Sequence, residues 1–107
     1  MYGDRELVRA RVLERAVYIV RLIVRSARSY EVSIRLRTLI KYAYTSYILG
    51  EDRFSYIKGM TSKVKVPRYL FHKDFYKAVE EALMENFDIR FETRRGNKRY
   101  AIVTVKP

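Results

Sequence analysis

The chain has no cysteine and a single histidine, His72, in 107 residues. The first absence excludes disulfides, thiolate chemistry and Cys-ligated zinc, and the second excludes a multi-histidine metal centre. No apolar run approaches the roughly 18 residues that signal a membrane span, and the N-terminus lacks the charged-then-apolar order of a signal peptide. These features predict a soluble, cytoplasmic protein with no membrane partner. Four glycines occur, at positions 3, 50, 59 and 96, and they form no phosphate-cradling loop. Glutamine is missing and asparagine stands only at Asn86 and Asn97, while Arg, Lys, Glu and Tyr abound. Depletion of thermolabile residues in this manner predicts a hyperthermophile protein of archaeal or archaeal-viral source.

What the chain has in excess is positive charge. Lys and Arg number 23 against 12 Asp and Glu, for a formal charge of +11 and a pI near 10.1. Residues 1–50 hold ten basic and four acidic side chains, and residues 51–107 hold thirteen and eight. The imbalance is therefore spread over the chain, so the cations must decorate a folded surface. With 49% hydrophobic residues the chain can fold as one domain, 1–107, around a modest core. A polyanion is the partner such a surface suits, and nucleic acid is the commonest one.

Periodicity predicts the elements. A long helix over residues 5–28, with Asp4 as N-cap, places Val8, Val12, Ala16, Ile19, Val20 and Ile23 on one side and Arg11, Arg15, Arg21, Arg25 and Arg28 on the other. Leu13, Val17 and Val24 widen the apolar side to about half the circumference. So wide a face predicts a homodimer formed through the N-terminal segment, residues 1–30. Residues 30–37 alternate as a strand would, yet Val32, Leu36, Leu39, Ile40 and Ala43 also make a helical stripe; a helix from about Val32 to Leu49 is the expectation, with a short strand before Thr38 as the alternative. Gly50, Gly59 and Pro67 break the next stretch, for which a short helix over 54–58 and an extended 63–66 are expected. A last helix over 71–86 carries Phe71, Phe75, Val79, Ala82 and Leu83 on one stripe.

The C-terminal run 87–105 reads as two alternating strands around Arg94-Arg95-Gly96-Asn97-Lys98-Arg99. A turn crowded with like charge repels itself unless a polyanion neutralises it. Lys63, Lys65 and Arg68 supply a second basic patch before the last helix, with aromatic residues interleaved. That helix begins with His72, Lys73 and Lys77 and continues with Glu80, Glu81 and Glu85, an order opposed to the helix dipole. A demand for cations at its start would account for the inversion.

A helix followed by a two-stranded hairpin with a basic tip, and preceded by two or three helices, resembles the winged helix-turn-helix superfamily. The likeness rests on element order over about residues 34–105, with 36–49 as first core helix, 54–58 as second, 69–86 as recognition helix and 91–100 as wing. It implies an α+β, mainly helical domain with a long N-terminal helix and a C-terminal β-hairpin. It also implies base contacts from His72, Lys73, Tyr76 and Lys77 and phosphate contacts from Arg94, Arg95, Lys98 and Arg99. The expected function is non-catalytic nucleic-acid binding, with duplex DNA favoured, in a transcription regulator, partition or chromatin protein. The alternative is a basic accessory subunit of a replication or ribonucleoprotein complex. Asp88 and Glu92 have no matching upstream carboxylate with the spacing of a metal-dependent nuclease, so neither enzymatic activity nor a cofactor is expected.

Overall fold

Helix α1 occupies Gly3–Ser26 in the computed structural model, which describes residues 3–105. Asp4 lies inside its first turn and is not the N-cap; with Glu6 it sets negative charge at the positive end of the helix dipole. The chain then forms β1 (Glu31–Arg35), α2 (Leu36–Leu49), α3 (Phe54–Met60), 3-10 turns at Thr61–Lys63 and Arg68–Phe71, α4 (Lys73–Asn86), β2 (Ile89–Arg94) and β3 (Lys98–Thr104). The fold is α+β: four helices against a three-stranded antiparallel sheet in the order β1-β3-β2.

The expected helix from Val32 is a strand up to Arg35. Val32 pairs with Val103 and Ile34 with Ala101, and Ile34 is buried while Ser33 is exposed. Local periodicity left the two readings equal, and a partner strand some seventy residues away decides between them, since β-branched side chains pack well on a pleated surface. Helix α4 likewise starts two residues later than expected, because Arg68–Phe71 forms a separate 3-10 turn and His72 is the extended N-cap. The stretch expected to be extended over 63–66 begins at the end of a 3-10 turn.

Two residues set the tight corners. Gly50 ends α2 at φ 62°, where the Glu51 amide reaches back to the Ser46 carbonyl at 3.1 Å. Gly96 and Asn97 take φ 75° and 60° at the hairpin tip, a left-handed pair that Gly and Asn adopt with least strain. Beyond Gly50, the Glu51 carboxylate accepts hydrogen bonds from the Arg53 side chain and from the Arg53 and Asp52 amides, which hold its pKa down at about 2. A carboxylate depressed in the folded state stabilises it above the ordinary value of 4.5 and loses that contribution as pH falls toward 2. Acid titration followed by NMR is expected to show the α2–α3 turn loosening between these limits in the native chain, and Glu51→Gln is expected to abolish that transition.

The core draws on every layer. Val12, Ala16, Ile19 and Val20 of α1, Leu36, Leu39, Ile40 and Ala43 of α2, Val79 and Leu83 of α4, and Ala101 and Val103 of β3 are buried together. The broad face of α1 is covered in part within one chain, by α2 and α4, while Val8, Leu13, Val17, Ile23 and Val24 stay half-buried. A dimer through α1 would have these half-buried side chains to bury. Among the described residues no helix is long and apolar enough to cross a membrane.

Candidate nucleic-acid interface

Strand parity decides where each hairpin cation points. Side chains alternate across a sheet, so Arg99 shares the inner face with Ala101 and Val103 and turns toward α4, while Arg94 shares the outer face with Tyr100 and Ile102. The Arg99 guanidinium donates to both oxygens of Glu80 on α4, at 2.9 and 3.1 Å, and to Thr93 Oγ1 at 3.0 Å. A bidentate charge-assisted pair of this kind fixes geometry as well as charge. Arg99, expected as a phosphate contact, therefore ties the hairpin to the helix. Arg94 stacks on the Tyr100 ring at 4.3 Å and lies 3.4 Å from Glu92. Arg95 and Lys98 remain, exposed and without an ion pair among the described residues.

The latch leaves a groove of about 460 Å³ between the first half of α4 and the hairpin. Lys73, Tyr76, Lys77 and Glu80 line one wall and Thr93, Asn97 and Arg99 the other, with Phe71 at the end. Lys73 and Lys77 are exposed one turn apart, and Tyr76 is half-buried between them. The carboxylates in the neighbourhood already have partners. Glu80 is held by Arg99, and Asp74 by His72 at 2.8 Å and Arg9 at 3.6 Å. The His72 bond lowers the Asp74 pKa, so this acid stays ionised and engaged at neutral pH. An anion entering the groove meets unpaired lysines and no free carboxylate on its walls.

The groove gathers Lys73, Tyr76, Lys77 and Arg99 out of the sequence candidates. His72 is exposed at the N-cap with its ring turned to Asp74, and Arg68 opens the 3-10 turn just before it. Lys63 and Lys65 are exposed on the approach to that turn and do not line the groove. Sequence reasoning missed Arg37. This residue of the first turn of α2 is exposed and lies over the Phe71 ring at 4.0 Å, which adds a cation to the groove's end. Its one signal was position, since α2 has no acid in its first turn to compensate for Arg37. Asn97 was also missed as a lining residue, because its role in the turn accounted for it.

Removing the latch gives a measurable outcome. Glu80→Ala is expected to lower stability by about 1 kcal/mol, the typical loss of a partly exposed charge-assisted bond. Faster amide exchange should follow over residues 95–98. Denaturant unfolding and hydrogen exchange check this, and Arg99→Ala added to Glu80→Ala should cost only what its contacts with Thr93 and Phe91 contribute, since the Glu80 pair is already gone.

Among the described residues no group of three or more acidic or histidine side chains is placed to hold a metal ion. Comparison of the chain with protein-family models, curated proteins and solved structures finds no match to any of them.

Proposed function

We propose that this protein binds nucleic acid without catalysing a reaction, and that it engages duplex DNA through the first half of α4 and the hairpin tip. The observation that carries the reading is the groove itself, where Lys73 and Lys77 hold no ion pair among the described residues while Glu80 is paired with Arg99 and Asp74 lies 3.6 Å from Arg9. Phosphate contacts would come from Lys73, Lys77, Arg95 and Lys98, with Arg37 and Arg68 extending the footprint; such contacts supply sequence-independent affinity. The winged helix-turn-helix resemblance belongs to the same proposal. The order β1-β3-β2, with α4 directly before the hairpin, supports it. In this reading α1 takes the place of the first core helix, because β1 lies between α1 and α2. A regulator, partition or chromatin role fits a small domain of this charge.

The test is a binding titration of the intact chain with blunt duplex DNA, single-stranded DNA and duplex RNA at two salt concentrations. Tightest binding to duplex DNA, with affinity falling steeply as salt rises, supports the reading. Affinity for duplex DNA that does not respond to salt would remove it, because phosphate contacts release counterions.

One observation favours a second reading, a basic accessory subunit of a larger assembly. Met84 is 53% exposed on the acidic half of α4, and it lines a concavity of about 520 Å³ together with Glu85, Phe87 and Asp88. If this surface meets a protein partner, Glu81→Ala with Glu85→Ala weakens co-purification and leaves nucleic-acid affinity intact.

A further inference from the structure

The link between α1 and β1 carries Tyr30, which is 72% exposed, more than any other large hydrophobic residue among the described residues. Its backbone is nevertheless held firmly. The Tyr30 carbonyl accepts the Val105 amide at 2.8 Å, Ser29 Oγ donates to the Glu31 carbonyl at 2.9 Å, and the Ala27 amide donates to the Val24 carbonyl at 3.2 Å. An exposed ring on an anchored backbone is presented outward at little entropic cost to whatever stacks on it. Arg25 and Arg28, three residues apart and both exposed, line the same concavity of about 600 Å³. No acidic side chain lines it. The nearest acid in sequence, Glu31, is engaged by Arg90 at 2.7 Å.

We infer that Arg25, Arg28 and Tyr30 form a second nucleic-acid contact, one that takes a single strand, with a base stacked on Tyr30 and flanking phosphates on the two arginines. The inference rests on the nucleic-acid reading of the protein and adds a separate site to it. A duplex keeps its bases stacked on each other and offers a ring only the faces of its two end pairs, whereas an unpaired strand offers a base face beside each phosphate. The concavity lies within the ~300–1,000 Å³ range of small-ligand clefts. Its distance from the groove is set by α1. Arg9 contacts the Tyr69 carbonyl and Asp74 at the start of α4, and Arg25 lies about 24 Å further along the helix axis. A single protein could therefore hold a duplex at one end and an unpaired extension of it at the other.

The experiment compares three fluorescent probes with the intact chain: a blunt duplex, the same duplex with a single-stranded thymidine overhang, and a thymidine oligonucleotide alone. The overhang is expected to tighten binding about tenfold, the size of one stacked base. Tyr30→Ala should erase that increment and leave blunt-duplex affinity unchanged, while Tyr30→Trp should keep it. Arg25→Ala with Arg28→Ala should reduce the salt slope for the oligonucleotide by about 1.4. An overhang that adds nothing to the unmodified protein, or an increment that survives Tyr30→Ala, overturns the inference. The arms also separate it from the duplex reading. Loss of blunt-duplex binding in Lys73→Ala with Lys77→Ala, with oligonucleotide binding retained, supports two independent sites; oligonucleotide binding that disappears in that variant overturns them.

Discussion

Neutralising Lys73, Lys77, Arg95 and Lys98 together is expected to lower the log–log salt slope of duplex binding by about 3.6, since each lost phosphate contact removes about 0.9. At 0.1 M salt, one decade below a 1 M reference, this amounts to a loss of about three and a half orders of magnitude in affinity. The fold should survive, because all four side chains are exposed and none holds an ion pair among the described residues. Arg99 is left out of the set deliberately. Its removal would unlatch the hairpin from Glu80 and confound a lost contact with a displaced one. Titration of the folded variant at several salt concentrations reads both affinity and slope. An unchanged slope would dismiss the α4–hairpin groove as the duplex site.

The second large effect is on stability. Ile19→Lys is expected to unfold the chain, because Ile19 is 0% exposed and its side chain lies in the core shared by α1, α2 and α4. Burying an unpaired ammonium costs several kcal/mol, and the lost apolar burial adds about 2–3 kcal/mol, against a total stability of about 5–15 kcal/mol for a domain of this size. Leu7→Lys, at a position 54% exposed on the same helix, should melt close to the unmodified protein. Circular dichroism melting of the two variants makes the comparison. Sedimentation of the unmodified chain supplies the other half, since a dimer through α1 would form on its half-buried residues and leave the fate of Ile19→Lys unchanged.

Much of the fold was legible because local patterns agreed with it. The stripes of α1 and α4 have a helical period, Gly50 stands where a helix must end, and Gly96-Asn97 sits between two alternating runs. Agreement failed at residues 31–35, where the pattern served helix and strand equally and the pairing with β3 lies outside any local window. The apolar width of α1 was legible, but its partners were not. A sequence shows how much of a helix is apolar but not how many neighbours arrive to cover it, and here both α2 and α4 do.

The candidate site divides along the same line. Composition and order alone established that this is a strongly basic chain without cysteine, with cations massed at the start of the last helix and around one hairpin turn. Those are properties of residue type and spacing, and they hold in any conformation. Which of the cations are free was decided by tertiary structure. A one-residue step along a strand reverses the face, so Arg99 meets Glu80 while its neighbour Lys98 stays in solvent, and Arg37 reaches Phe71 from a helix more than thirty residues earlier. Charge is additive along a sequence, but availability to a partner depends on what each charge touches, and that is fixed only when the sheet and α4 pack together.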